Sequence, residues 1–434
     1  MTDVSYINPI GLGFLIIICV IILFVKRQYL LIPMFLVLSY MTLGQQFLVA
    51  GLHITIMRFV FFLGWVRLVV RREIVTLKFN TIDRYILLWV ASNVILYVIH
   101  NQTTSALVNR LGFAYNALGI YFFFRFVVKD FEETIKGIKV LVIVIVPLAV
   151  LMSIEFISGY NLFSVFGGVD SLRIRDGRIR CYGPFASPIL AGTYGATLVP
   201  FFAGLWFNCR SKLFVLIGIL AATVITVTSS SSGPLMAYLS GIIALALWPL
   251  REKMKMIRWG VFMMLIMLNY FMNAPVWYLF TKISNITGGT GWHRSYLIDQ
   301  AIKNIGSWWI SGTNYTAHWF PYNLKSTPGM VDITNQYILE GVNGGLLTMF
   351  LFIMIIISCF RMIGEARKNN TAGFTNQHTI LFWAIGSSIF AHAITFFSVS
   401  YFDQIIILWY FTLAIVSSVT NVKEVGEVSR VCTA

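Results

Sequence analysis

The chain has 434 residues, of which 58% are hydrophobic and only 11% are charged. Soluble domains carry about 25% charged residues, and a soluble protein of this size would not bury so much apolar surface. The composition therefore excludes a soluble globular protein and predicts an integral membrane protein. The five cysteines show no paired spacing, which argues against a disulfide scaffold or a CxxC metal site.

Apolar runs long enough to cross a bilayer recur along the whole chain. They predict an all-α polytopic bundle of about 12–14 transmembrane helices, in which residues 1–434 form a single membrane domain. The thirteen candidate runs are 9–25, 30–49, 52–70, 85–100, 107–126, 140–157, 185–208, 213–229, 234–250, 259–279, 341–360, 379–398 and 404–421.

The positive charges alternate from one connection to the next. Twenty of the 32 lysines and arginines lie in every second connection and in the C-terminal tail. Because cytoplasmic loops retain an excess of Lys and Arg, we expect these segments and the C-terminus on the cytoplasmic side. The two long connections, 158–184 and 280–340, are then expected outside, as is the N-terminus. A net charge of +15 that is largely topogenic needs no nucleic-acid partner.

The first outer loop, 158–184, is basic. Residues 173–180 read Arg-Ile-Arg-Asp-Gly-Arg-Ile-Arg, and this alternation around Asp-Gly predicts a short β-hairpin with all four arginines on one face. The arginines are Arg173, Arg175, Arg178 and Arg180. One interpretation is a hairpin that is salt-bridged to Asp170 and Asp176 or that contacts lipid headgroups. The other is a clamp for an anionic ligand, since Arg forms paired hydrogen bonds with phosphate oxygens.

Two further arginines, Arg58 and Arg110, lie in the outer halves of predicted spans. An arginine at this depth is costly unless it faces a polar cavity or a partner. Each would therefore either extend to the outer interface or look into an outward-facing cavity that accepts negative charge. Glu155, near the outer end of its span, is a candidate counter-ion for either of them.

The second outer loop, 280–340, is the longest connection in the chain. Its Thr-Gly-Gly-Thr-Gly stretch at 287–291 predicts a turn and not a P-loop, because no Lys-Ser/Thr follows it. In residues 292–305, apolar residues recur at helical spacing, which predicts a helix with Arg294 near its start. An aromatic group follows, which predicts either an interfacial belt or a platform that stacks on sugar rings. Its members are Trp308, Trp309, Tyr315, Trp319, Phe320 and Tyr322.

Four stretches fall in order on the expected outer side. The first is Arg178-Ile-Arg-Cys-Tyr-Gly-Pro-Phe-Ala-Ser-Pro, and the second is the Ser-rich turn Thr228-Ser-Ser-Ser-Ser-Gly. The third is Trp292-His-Arg294, followed by Ala301-Ile302 and Ser311-Gly312. The fourth runs from Asp332 to Gly344, with an Asn-x-Tyr segment and a Glu-x-Gly-x-x-Gly span entry. In order, spacing and placement they resemble the motifs of the bacterial O-antigen ligase and polymerase superfamily of glycan-assembly enzymes.

The resemblance covers roughly residues 170–350 and has two departures. Ligases of this superfamily carry a histidine, proposed as the general base for the acceptor, at the position of Thr334. The Ser-rich turn has Ser232 where the family often has an arginine. The Asp-x-x-Asn-x-Tyr form of the fourth stretch resembles the polymerases of capsule and exopolysaccharide repeat units. The resemblance therefore implies a polymerase in the bacterial inner membrane that uses oligosaccharides carried on undecaprenyl pyrophosphate.

This chemistry fits the basic residues of the outer loops. Glycan transfer from a lipid pyrophosphate leaves an anion that gains charge in the transition state, and preorganised arginines would stabilise that charge without a metal. The sequence contains no HExxH, Cys/His cluster or outer-loop Asp-x-Asp, so we expect neither metal nor cofactor. The predicted pyrophosphate ligands are Arg294 first, then Arg178, Arg180 and Arg58, with Arg173 and Arg175 in the same hairpin.

The remaining predicted site residues lie in the loop 280–340. Asp332 or Glu340 would accept the proton of the acceptor hydroxyl, and Glu340 would otherwise be a buried structural carboxylate. Asn335 and Tyr337 would hydrogen-bond sugar or position the loop. The remaining predicted contacts to the glycan are Trp308, Trp309 and His318.

Three other functions fit parts of the sequence. A ligase that transfers finished glycan to lipid A core or to protein would use the same arginines. A flippase for lipid-linked oligosaccharides would also have many spans, but transporters often show two related halves, and no internal repeat is visible. A structural membrane subunit would not need the outer arginines. Candidate partners of the enzyme are membrane lipids, a chain-length regulator and a flippase.

Overall fold

The computed structural model of the chain describes residues 7–49, 52–74, 76–171, 173–175, 177–282, 291–320, 325–327, 329–368 and 376–420. The helices in chain order are Pro9–Phe24 (α1), Leu31–Tyr40 (α2), Ile56–Val70 (α3), Thr81–Asn101 (α4), Thr104–Ala114 (α5), Ile120–Val127 (α6), Phe131–Ser158 (α7), Pro188–Gly204 (α8), Lys212–Thr228 (α9), Ser232–Ala246 (α10), Met254–Phe271 (α11), Gly291–Lys303 (α12), Ile305–Trp308 (α13), Gln336–Lys368 (α14), Asn376–Thr395 (α15) and Gln404–Val419 (α16). The described strands pair into antiparallel hairpins: Gln46–Val49 (β1) with Leu52–Thr55 (β2), Ile174–Arg175 (β3) with Arg178–Ile179 (β4), and Lys325–Thr327 (β5) with Met330–Val331 (β6).

The chain is an α-helical multi-pass membrane protein. Each of the thirteen predicted apolar runs contains a helix. Among the described helices, five are long and apolar enough to cross a bilayer, namely Thr81–Asn101, Phe131–Ser158, Pro188–Phe207, Gln336–Lys368 and Gln377–Thr395. The pair α10 and α11, bent by 78°, makes a sixth if it is counted as one span. The total of about 12–14 spans stays a prediction.

Two helices, α8 and α16, lie at the centre of the bundle. In α8, 15 of the 17 residues are buried, and α16 is buried along almost its whole length. Small residues allow close helix contact here, because a Cβ at Gly195 would lie 2.5 Å from the carbonyl oxygen of Ala222 on α9. A helix that is apolar on all sides and buried fits the core of a membrane bundle.

The chain between α2 and α3 differs from the prediction. The runs 30–49 and 52–70 were expected as continuous spans, but α2 ends at Tyr40 and the hairpin β1–β2 precedes α3. Met41 leaves helical geometry with a ψ of 126°, and Gly44, with a left-handed φ of 93°, then turns the chain into β1. The hydroxyl of Thr55 then caps α3 by accepting a hydrogen bond from the Arg58 backbone N–H at 3.4 Å.

The long helix α14 is broken close to its N-terminal end. Gly344 and Gly345 leave helical geometry, and Gly345 has a φ of 73°. The loop after α13 fills the break: the Leu346 N–H donates to the Trp309 carbonyl and the Thr313 N–H donates to the Val342 carbonyl, both at 2.8 Å. These hydrogen bonds at the break therefore attach part of the loop 280–340 to the helix bundle.

The carboxylate of Glu155 holds the chain that leads from the basic loop into α8. Its two oxygens accept hydrogen bonds from the backbone N–H groups of Tyr182 (2.8 Å) and Gly183 (2.9 Å). The structure therefore corrects the expectation that Glu155 is a counter-ion for Arg58 or Arg110. Instead, this buried acid orients the segment that follows Arg180.

Candidate functional site

The predicted arginine hairpin is present. β3 pairs with β4 so that Arg175 lies opposite Arg178, and the Arg180 N–H donates to the Arg173 carbonyl at 3.0 Å. With side chains alternating along each strand, this register places the four arginines on one face, as predicted. Arg173 and Arg178 are exposed, Arg175 is half-buried and Arg180 is 5% exposed. The predicted partner Asp176 lies outside the described residues.

Arg180 connects the basic hairpin to the Ser-rich turn between α9 and α10. Its Nη2 donates to the Ser231 hydroxyl at 2.6 Å, and that hydroxyl donates to the Ser229 carbonyl at 2.8 Å. The Cys181 N–H also donates to the Thr228 carbonyl at 3.1 Å. The first two of the four motif-like stretches are therefore in direct contact.

Arg294, on the first turn of α12, lies near Arg175 and Arg180 of the hairpin, and we call these three residues the arginine cluster. It is 6% exposed, and a Cβ added to Gly233 at the start of α10 would lie 3.4 Å from its Nη2 and 3.3 Å from the Ser398 hydroxyl. Among the residues that the structure describes, the Arg294 guanidinium makes neither a hydrogen bond nor an ion pair. Burial, followed by repulsion from Arg175 and Arg180, lowers the pKa of Arg294 to about 10. Arg294 thus keeps its charge at neutral pH, and it is buried without a compensating carboxylate from the described part of the chain.

His293 lies beside Arg294 and received no role from the sequence. It is 9% exposed, and its ring stacks on Phe320 with centroids 4.7 Å apart and planes at 17°. Burial and Arg294 lower the pKa of His293, whereas nearby Asp332 opposes that shift. The sequence signal was weak, since only the three-dimensional fold brings Phe320 and Asp332 to this histidine.

A carboxylate fixes α12 to the segment that follows α11. Asp299 accepts hydrogen bonds from Trp277 Nε1 at 2.7 Å and from the Tyr278 hydroxyl at 2.5 Å. The Ser295 hydroxyl donates to the Trp277 carbonyl at 3.0 Å. The helix that carries His293 and Arg294 is therefore held in place at its middle.

The aromatic residues of the second outer loop divide into buried and exposed members. Trp308 is buried, donates through Nε1 to the Ala301 carbonyl at 2.9 Å and packs against Gly341. Trp319 is fully buried in the same small core. These two residues therefore stabilise the loop and do not form a sugar platform, whereas Trp309 is 51% exposed.

His318 lies on the surface of the same loop. Its Nε2 is 3.1 Å from Asn304 Oδ1, and its ring stacks on Tyr315 with centroids 5.4 Å apart. The predicted contact between His318 and the glycan stays a prediction. Two further parts of this loop, 287–290 and Tyr322, lie outside the described residues.

The fourth motif-like stretch mostly anchors α14. Asn335 caps the helix by accepting from the Ile338 N–H at 3.1 Å, and the Tyr337 hydroxyl donates to the Ala393 carbonyl at 2.9 Å. These contacts favour the loop-positioning interpretation of both residues over contact with sugar. Asp332, in contrast, is exposed and influences His293.

Glu340 is buried within the helix bundle. Its carboxylate accepts hydrogen bonds from Gln336 (2.7 Å), Trp89 (2.9 Å) and Asn93 (3.3 Å). Both oxygens are thus occupied by donors from α14 and α4. The contacts give Glu340 the structural role that the sequence left open, and they do not support its predicted role as a proton acceptor.

Arg110 is part of the same buried network and does not extend to the interface. Its guanidinium donates to Asn93 Oδ1 at 2.9 Å and to Asn343 Oδ1 at 3.0 Å, and it lies 3.5 Å from the ring centroid of Tyr97. Arg110 is 7% exposed. A cationic side chain at this depth is therefore stabilised by internal partners.

Arg58 faces a different space from the arginine cluster. Its Nε donates to Asn116 Oδ1 at 2.9 Å, and the side chain lines a cavity of about 140 Å³ together with Gln45 and Asp403. The hairpin arginines and Arg294 do not line this cavity. The structure therefore does not bring Arg58 together with the other predicted pyrophosphate ligands.

Comparisons with known proteins found no match. No family model matches the chain, and no curated protein matches it either. Among the described residues, no group of three or more His, Cys, Asp and Glu side chains is arranged to hold a metal ion. The fold and the site together define an α-helical membrane protein whose arginine cluster lies, largely buried, at the ends of its apolar helices.

Proposed function

We propose that the chain is a polymerase of oligosaccharide repeat units carried on undecaprenyl pyrophosphate, of the O-antigen, capsule or exopolysaccharide type. In this proposal it belongs to the O-antigen ligase and polymerase superfamily and lies in the bacterial inner membrane. The loops 158–184 and 280–340 are periplasmic. The reaction is a glycosyl transfer in which arginines, and no metal, stabilise the leaving pyrophosphate.

The single observation that carries the proposal is the guanidinium of Arg294, which is buried and has no hydrogen-bond or ion-pair partner among the described residues. A buried charge without a partner is costly, so a site that retains one is suited to a ligand of opposite charge. Arg175 and Arg180 add positive charge, and an anion bound among the three guanidiniums would offset their mutual repulsion. Arginine is also the side chain best suited to paired hydrogen bonds with phosphate oxygens.

The position of the cluster supports a lipid-linked anion. Gly233, in contact with Arg294, lies in the first turn of α10, and Ser231, which holds Arg180, directly precedes that helix. The apolar α8 likewise begins at Pro188, shortly after Arg180. An anion in this cluster would therefore lie where apolar helices end, at the depth of a lipid headgroup.

The proposed reaction is a single displacement. The acceptor oxygen bonds to the anomeric carbon while the bond from that carbon to the pyrophosphate oxygen breaks. The electron pair of the broken bond goes to the leaving pyrophosphate, whose added charge the arginines stabilise. Such a displacement inverts the anomeric configuration. A product linkage that retains the donor configuration would rule out this one-step scheme.

The test is a gel of lipid-linked and mature glycans from the source organism with its chromosomal copy deleted. We expect deletion to abolish long chains and to leave single repeats on the acceptor. Wild-type protein restores long chains, and Arg294→Ala does not. Arg361→Ala is the matched control, because Arg361 is an exposed arginine far along α14 that pairs with Glu365, and it restores chains fully.

Other gel patterns identify the competing functions. Long chains stranded on undecaprenyl pyrophosphate would show a ligase that transfers finished glycan. Repeat units that accumulate only on the cytoplasmic side would show a flippase. Full restoration of long chains by Arg294→Ala would reject the arginine site even if the protein is a polymerase.

A further inference from the structure

The side chain of His293 is mostly buried next to the arginine cluster, and no described residue forms a hydrogen bond with its ring. Although the residue is only 9% exposed, neither ring nitrogen is fully enclosed by the protein. Phe320 covers one face of the ring at 4.7 Å and fixes its plane. The ring is therefore held in a fixed plane while its nitrogens stay open to the hydroxyl of a ligand beside Arg294.

The charged groups around His293 suit a proton acceptor. Asp332, on the segment before α14, is exposed and acts on the ring with opposite charge once the ring is protonated. Arg294, the next residue on α12, repels the protonated ring, and Arg175 and Arg180 of the hairpin face Arg294. The neutral ring is therefore the resting form, and Asp332 stabilises the charged form after proton uptake.

The other predicted acceptors of a proton already have protein partners. Glu340 accepts three hydrogen bonds within the bundle, and the Tyr337 hydroxyl donates to the Ala393 carbonyl. His318 is paired with Asn304 on the loop surface. The described residues thus leave His293 and Asp332 as the groups near Arg294 that are open to an acceptor hydroxyl.

We propose that His293 is the general base of the glycosyl transfer, with Asp332 as a positioning residue that stabilises the imidazolium ion. This inference rests on the proposed function. The acceptor O–H bond breaks and its proton passes to a ring nitrogen of His293. The acceptor oxygen forms its bond to the anomeric carbon, and the departing electron pair goes to the pyrophosphate held by the arginines. The ring then returns its proton to water through the exposed side at Asp332.

The test measures the transfer rate against pH with the full-length protein in lipid nanodiscs. The substrate is the lipid-linked repeat unit extracted from the deletion strain. For the wild type we expect the rate to rise with pH and to reach a plateau, because only the neutral ring accepts a proton. Burial lowers the pKa of His293, so this rise lies below the ordinary histidine value of about 6.5.

Two variants separate a base from a merely structural residue. His293→Gln lowers the plateau rate by about 100-fold or more. It also abolishes the acid limb, which is the fall of the rate below the plateau at low pH. Asp332→Asn removes a charge that raises the pKa of His293, so it moves the acid limb to lower pH and reduces the rate by about 10-fold. Because Asp332 is exposed, its variant keeps the test valid if His293→Gln does not fold. His378→Gln, at the opposite end of the bundle against Phe131, leaves both limb and rate unchanged.

Each contrary outcome has a distinct meaning. A His293→Gln protein that folds and keeps the acid limb overturns the base role and leaves the polymerase intact. Loss of the limb only in Asp332→Asn would make Asp332 the base. A wild-type protein that forms no polymer from the lipid-linked unit overturns the proposed function, and this inference with it.

Discussion

The position of the Arg294 guanidinium depends on a glycine from another helix. A Cβ at Gly233 would lie 3.4 Å from Arg294 Nη2 and 3.3 Å from the Ser398 hydroxyl, so an added methyl group fills the space beside the guanidinium and crowds Ser398. We expect Gly233→Ala to reduce the transfer rate by up to about 10-fold, because the methyl group occupies space beside the guanidinium where a bound anion would lie, and a small misplacement of the two charges weakens transition-state stabilisation. The measurement is the initial rate with lipid-linked repeat units in nanodiscs.

A second glycine provides the control for Gly233→Ala. Gly260 lies in α11 with open space around its Cβ position, so Gly260→Ala leaves the rate unchanged. Both variants keep the melting temperature of the wild type, since alanine is favourable in a helix. An unchanged rate in Gly233→Ala would mean that Arg294 is not positioned tightly enough to act on the reacting atoms.

At the scale of single residues, local patterns were predictable and distant partners were not. The Asp-Gly turn and alternating arginines predicted the hairpin that carries Arg180, and loop placement singled out Arg294. In contrast, the Glu340 carboxylate is bound by Trp89, 251 positions away in the chain. No local spacing encodes such a contact, so the packing role of Glu340 and the environment of His293 emerged only from the fold.

Among the helices, the break in α14 gives the second outer loop its anchor. Gly345 has a φ of 73°, and a Cβ there would overlap the Ile310 carbonyl oxygen. Gly345→Ala therefore combines backbone strain with a clash, and we expect a destabilisation of about 1–3 kcal/mol. The measurement is the melting temperature in detergent, with limited proteolysis of the loop as a second readout.

The same helix contains the control for Gly345→Ala. Gly364 lies near the other end of α14 with nothing within 4 Å of its Cβ position, so Gly364→Ala keeps or slightly raises the melting temperature. If the two variants melt at the same temperature, the break does not carry the loop anchor. Faster cleavage of the loop in Gly345→Ala alone would show that local anchoring is lost before the bundle unfolds.

Hydropathy predicted where helices occur but not where they are interrupted. Every predicted run contains a helix, because apolar composition is retained along each of them. The hairpin β1–β2 lies across the adjoining ends of the runs 30–49 and 52–70, and the break at Gly345 lies within the run 341–360. A left-handed glycine lies at each interruption, Gly44 in the turn before β1 and Gly345 in the break of α14, and a hydropathy average does not register the backbone angle of one residue.

On the scale of the whole molecule, α7 fixes which loops share a side of the membrane. With 28 residues it is about 42 Å long, which exceeds the roughly 30 Å hydrocarbon core. Lys129 precedes this helix and Arg178 lies in the hairpin after it. If α7 spans the membrane, as its length and composition predict, the two positions face opposite compartments whatever the total number of spans.

Cysteine labelling tests both this separation and the proposed orientation. In a background without the native cysteines, we expect Arg178→Cys to react with a membrane-impermeant maleimide in intact spheroplasts. Lys129→Cys, which is also exposed, is expected to react only after the membrane is permeabilised. Labelling of both cysteines from one side would contradict a spanning α7. Labelling of Lys129→Cys alone in intact spheroplasts would place the arginine cluster in the cytoplasm, where pyrophosphate-linked precursors are made, and the proposed polymerisation at the outer face would fail.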